Sequence, residues 1–149
     1  MLNNTSITDI MNGAIKSVED IIPTTIHVEE PKIAEHEETI ICLGVQVMLI
    51  GDIQAKLIIQ GDTNIFQKVA GLMFGMELEG DMLISFTGEL GNMIGGKVSM
   101  QISNLGIHTD ITTPNVLTEE HQVIIKEDTV VTNIHLQEYG KFQLFVCLV

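Results

Sequence analysis

The sequence predicts an α+β fold: an antiparallel-rich β-sheet packed against helices, with a long central helix. Three observations carry that prediction. An amphipathic helical pattern is followed by two β-branched runs, two further helical patterns and then a succession of strand-like runs, an order of segregated helices and strands rather than of alternating βαβ units. The two early strand runs are joined by Gly51-Asp52, a hairpin signal. The final run, KFQLFVCLV, is apolar almost throughout, as a strand in or beside the centre of a sheet should be.

The elements follow in order. Ser6 opens an amphipathic helix with Asp9 in a loose capping-box position, and Ile7, Ile10, Met11, Ala14, Val18 and Ile21 recur at helical spacing until Pro23 ends it. The polar stretch HVEEPKIAEHEET reads as a connection with a short edge strand. TIICLGVQVMLI and IQAKLIIQ form the hairpin. Asp62 or Thr63 caps a short helix, TNIFQKVAGLMFG, which closes at Gly75. Asp81 caps the long helix, which extends to Ser103. Beyond it GIHTDIT, VIIKED, TVVTNIHLQ and KFQLFVCLV read as strands, with breaks at Pro114-Asn115 and Tyr139-Gly140.

The 149 residues suit one domain, spanning 1–149, with a core that needs no disulfide or metal. Cys42 and Cys147 fall within apolar runs and read as small core residues. No run approaches the roughly twenty apolar residues of a membrane span, and MLNNTSITDI lacks a basic-then-apolar signal pattern, so a cytoplasmic location is expected. Twenty acidic residues face seven lysines, arginine is absent, and the net charge is −13. That balance argues against nucleic acid and anionic membrane as partners. It also removes the side chain best suited to gripping a phosphate bidentately. If the chain handles phosphate, something else must supply the positive charge.

The long helix holds the most unusual residues. SFTGELGNMIGGKVS, from Ser85 to Ser99, contains four glycines, each costing about 0.5–1 kcal/mol relative to alanine within a helix. With Ser85 at zero and about 100° per residue, Leu83, Leu90, Ile94 and Val98 fall between roughly 140° and 220°, with Ile84 and Ile102 near about 260°. That is the expected core face. Ser85, Gly88, Glu89, Asn92, Gly96 and Ser99 lie within about 60° of zero, on the opposite side. Gly91 belongs with the core, whereas Gly88, Gly95 and Gly96 are expected on the exposed side or its border. A Glu and an Asn three residues apart usually mean only a solvated face, and glycines also serve tight helix packing. Here Glu89 and Asn92 project together from small neighbours, a surface that a partner can approach closely. Met93 and Met100 border the same face and are candidates for contact with a partner.

Ser85-x-x-x-Glu89-x-x-Asn92, within GELGNMIGG, resembles the signature of the CheC/CheX/FliY family of bacterial chemotaxis phosphatases. The preceding GDIQAKLIIQGDTNIFQKVAGLMFG and the Pro114 region are similar too, so the resemblance covers most of the chain from Thr39 onward. The motif occurs once, and the first helix offers only Asp9-Ile-Met-Asn12; a single site is similar to the CheX subfamily. The resemblance implies a CheC/CheX-like fold and hydrolysis of the aspartyl-phosphate on a CheY-like response-regulator receiver domain, in chemotaxis or two-component signalling. It implies that Asn92 orients the attacking water and that Glu89 docks on the receiver's lysine. Ser85, Gly88 and Gly96 would border the partner-binding surface. No cofactor is expected on this chain, because the receiver brings Mg2+ and its lysine, which resolves the missing arginine. A homodimer is implied as well. The alternative is a CheX-like adaptor or sensor that binds a receiver or flagellar partner without turnover.

The histidines suggest no second chemistry. His27 and His36 sit in the acidic connection at no standard ligand spacing, His121 reads as a turn residue, and His108 and His135 as solvent-facing strand residues.

Overall fold

Period-two patterning builds the sheet. Buried residues alternate along β4 (Leu43–Gly51), as Val45, Val47 and Leu49, and along β5 (Ala55–Gly61), as Ala55, Leu57 and Ile59. In β10 (Lys141–Leu148) they are Phe142, Leu144 and Val146. Successive strand side chains alternate in direction, so each set faces one side. The computed structural model describes residues 4–34, 37–119, 122–125 and 128–149; His36 and His121 lie outside them.

The remaining strands are β1 (Ile26–Val28), β2 (Lys32–Ile33), β3 (Glu37–Ile40), β6 (Thr109–Ile111), β7 (Asn115–Thr118), β8 (Gln122–Ile125) and β9 (Val130–Leu136). An antiparallel sheet runs β1-β9-β10-β5-β4-β6, with β2 also on β9 and β7 also on β4. The apolar β10 is central, as expected, between β9 and β5. Three helices, α1 (Asn4–Ile21), α2 (Thr63–Phe74) and α3 (Gly80–Ser103), contribute with the inward strand residues to the main core. A smaller cluster, Ala34, Ile41, Ile58, Leu117, Val131 and Phe145, includes the outward-facing residues of β5 and β10. This is the expected α+β arrangement. No helix among the described residues is long and apolar enough to cross a membrane.

Local chemistry explains the helix ends. Asp62 occupies the N-cap position of α2 in extended conformation, without a side-chain hydrogen bond to the helix, and Gly75 ends it at φ 81°, its N–H donating to Gly71 O at 2.9 Å. Gly is favoured there because a left-handed residue costs it no Cβ clash. α3 starts after Glu79, so the expected cap Asp81 lies in the first turn, where its carboxylate still suits the positive helix end. α1 is already helical at Asn4, so Ser6 is within the helix rather than before it.

Two further expectations fail. The first β-run is not one strand: the chain bends at Ile41-Cys42, and Thr39-Ile40 pairs with Val123-Gln122 of β8 instead. Cys42 is therefore exposed at the bend. Cys147 points away from the helices on β10 and is half-buried; both are free thiols rather than core residues. His135 behaves as expected: half-exposed on β9, it has Nε2 at 2.6 Å from Glu29 Oε2. That hydrogen bond, followed by one from Asn133, holds the Glu29 carboxyl below its usual range.

Candidate active site

Glycines decide how deeply α3 sits. A Cβ on Gly91 would stand 2.5 Å from Cγ2 of Val45, one on Gly95 2.9 Å from Cγ1 of Val47, and one on Gly88 3.3 Å from Cγ2 of Val116. Thus Gly88 and Gly95, expected on the exposed side or its border, join Gly91 in seating the helix. The physical reason is that β6 and β7 line the helix flank: Ile111 approaches the Gly95 position to 3.5 Å, as Val116 does that of Gly88. The buried arc is wider than one flat sheet would make it. Ile84 departs in the other direction, being 37% exposed over an open cleft lined by Cys42, Thr63 and Thr118.

On its other flank α3 packs against α1. The Gly13 position faces Val98 Cγ1 at 3.7 Å, and Lys97 Nζ lies 3.9 Å from Asp20 Oδ2. Buried Thr87 donates its hydroxyl to Leu83 O at 2.8 Å, so this polar group costs nothing unsatisfied.

What remains exposed is the arc carrying Ser85, Glu89 and Asn92. Among the described residues none of the three has a side-chain hydrogen bond or ion pair. Gly96, the next turn on, has open space where a Cβ would be. Ser99 was expected on this face, but it is half-buried and its hydroxyl donates to Thr109 O at 2.6 Å on β6. The sequence reading missed Met82, 61% exposed, although its wheel position of about 60° equals that of Met100.

The two side chains differ usefully. An ionised Glu carboxylate only accepts hydrogen bonds, whereas an Asn amide both donates and accepts and does not titrate. Three residues apart on a helix, they stand about 5–6 Å from each other at Cβ. One can pair with a cation while the other holds a water. Among the described residues no group of three His, Cys, Asp or Glu is arranged to hold a metal.

The sequence model of a family described as chemotaxis phosphatase CheX matches residues 43–136, from the start of β4 to the end of β9, with all of α3 inside. The chain belongs to the CheX family. The CheY-P phosphatase CheX of Thermotoga maritima is 34% identical over 115 residues, 72% of this chain and 74% of that protein. The fold matches CheX of Desulfovibrio desulfuricans with a TM-score of 0.80 at 15% identity, over 97% of this chain and 99% of that one. It also matches a chain of the CheX-CheY-BeF3-Mg2+ complex of Borrelia burgdorferi, with a TM-score of 0.77 at 20% identity, over 95% of this chain and 96% of that one.

Within this CheX fold the open Gly96 gives a clean prediction. Gly96→Ala should raise stability by about 0.5–1 kcal/mol, through helix propensity alone. Thermal or urea unfolding would measure it.

Proposed function

We propose that this chain is a phosphatase that accelerates hydrolysis of the aspartyl-phosphate on a CheY-like receiver domain. The observation that carries the reading is the pairing on one face of α3 of Glu89 and Asn92, exposed and without side-chain partners among the described residues, inside the region that matches the CheX family. The relative that is 34% identical is itself a CheY-P phosphatase.

Phosphoryl transfer through a loose transition state asks mainly for an in-line water and compensation of charge. The receiver would bring the acyl phosphate, Mg2+ and its lysine. Asn92 enters that pocket, and its amide fixes the direction of the water through one donated and one accepted hydrogen bond. Glu89 accepts from the receiver's lysine and sets the register of docking. Ser85, Gly88 and Gly96 keep the helix surface low enough for the approach. A hundredfold acceleration needs about 2.7 kcal/mol, within the reach of positioning. A cytoplasmic location, a single domain over 1–149 and assembly as a homodimer belong to the same reading.

Glu89→Ala should raise KM for the phosphorylated receiver by about 10- to 100-fold, the equivalent of losing one charge-assisted hydrogen bond worth roughly 1.5–3 kcal/mol. The parent experiment measures phosphate loss from phosphorylated receivers with Mg2+, with and without this protein. Acceleration supports a phosphatase. Stable complexes that retain their phosphate would instead make the chain an adaptor.

A further inference from the structure

We propose that Met82, Met93 and Met100, with Phe74 beside them, form an apolar docking strip by which α3 selects its receiver. The inference rests on the phosphatase reading and deepens it by naming what the partner's surface must be. Met82 is 61% exposed, Met100 63% and Phe74 60%, while Met93 is half-buried. On the helix wheel the three methionines cluster at about 60–80°, immediately beside Glu89 at about 40°. Phe74, at the end of α2, stands edge-on to Phe86 of α3 at 5.8 Å between ring centres, which extends the strip at its N-terminal end.

The occupant follows from the position of the strip. Met82 lies about 15 Å before Asn92 along the axis and Met100 about 12 Å after it. One side of an ordinary protein interface covers about 800 Å², or about 28 Å across. A receiver that takes Asn92 into its phosphorylation pocket therefore covers the strip at both ends. Beyond the one pair between Glu89 and the receiver's lysine, overall charge cannot supply the attraction. The chain carries −13 overall, and a pocket that holds an aspartyl-phosphate and Mg2+ is itself rich in carboxylates. Lys97, on the border of this face, is already within 3.9 Å of Asp20. Contact with apolar side chains is what remains, and methionine suits it, being flexible and polarizable. The strip thus fits receivers whose rim beside the phosphorylation pocket is apolar. It disfavours those with charged rims, whose groups would lose water without gaining a partner.

The test compares a triple Met82→Gln, Met93→Gln, Met100→Gln variant, equal in length but polar, with the corresponding triple Leu variant. Two quantities are measured: KM and kcat for dephosphorylation, and Kd for a receiver held in its beryllofluoride-Mg2+ state. The Gln triple should raise KM and Kd by about 30-fold with a much smaller change in kcat, and the Leu triple should restore both to within about threefold of wild type. Melting curves of both should stay close to wild type. Equal Kd for the Gln triple and wild type would overturn the strip, as would a Leu triple that binds as poorly as the Gln triple. Wild type that binds, loses affinity in the Gln triple, but never turns over would sustain the strip and end the phosphatase reading. Wild type that does not bind at all would end both.

Discussion

Asn92→Ala is expected to return the phosphorylated receiver to its own rate of hydrolysis, a loss of about a hundredfold or more if positioning of water supplies the acceleration. The fold should not notice. Asn92 is exposed and has no side-chain partner among the described residues, and alanine is the better helix former. Melting should therefore hold or rise slightly while kcat collapses. Asn92→Asp separates the two roles of the amide, because it keeps an acceptor, loses the donor and brings a negative charge towards a phosphate. It should be as inactive as alanine. Phosphate release measured at saturating receiver decides the matter: a variant that keeps more than a tenth of wild-type kcat would remove Asn92 from the chemistry.

Gly91→Ala should cost more stability than the same change at Gly88, Gly95 or Gly96 of α3, because its added methyl group has the closest contacts of the four. On propensity alone it would stabilise α3 by about 1 kcal/mol. Its Cβ, however, would stand 2.5 and 2.8 Å from the two methyl carbons of Val45, which is fully buried in β4. A β-branched side chain packed in a strand has little rotamer freedom with which to retreat. The helix must lift instead, at a net cost of about 1–3 kcal/mol, and Asn92 would be displaced with it. Val45→Ala removes the obstructing methyls, so the double variant should be more stable than the sum of the single effects by at least about 1 kcal/mol. Urea unfolding of the four proteins gives that coupling. Set against Gly96→Ala, the pair tests whether two glycines of the same helix have opposite meanings: a stabilised Gly91→Ala would show that β4 gives way.

Much of this was legible in the residues because the relevant forces are local. Helical spacing put Glu89 and Asn92 on one exposed stripe, and the left-handed requirement at Gly75 ended α2 where expected. The errors arose where distant segments decide. A wheel drawn for one flat neighbour left Gly88 and Gly95 on the exposed side or its border, but β6 and β7 arrive later in the chain to line that flank. Ser99 turned inward for the same reason, drawn to the carbonyl of Thr109. Nothing near Thr39 and Ile40 announces that their partners are Val123 and Gln122, so the bend that exposes Cys42 could not be read locally. Of the apolar residues on the face that carries Glu89 and Asn92, Met82 was readable and overlooked.

The seating of α3 also has a kinetic consequence. With Gly91 and Gly95 backed by Val45 and Val47, and Gly13 of α1 against Val98, the helix is closely seated on its neighbours before a partner arrives. Only the rotamers of a few surface side chains lose freedom on association, at about 0.5–1.5 kcal/mol each. The encounter is therefore asymmetric: this chain presents a finished template, and whatever loop opening or rearrangement precedes hydrolysis takes place in the molecule that carries the phosphate. Differences in turnover among receivers should accordingly track how readily each one opens.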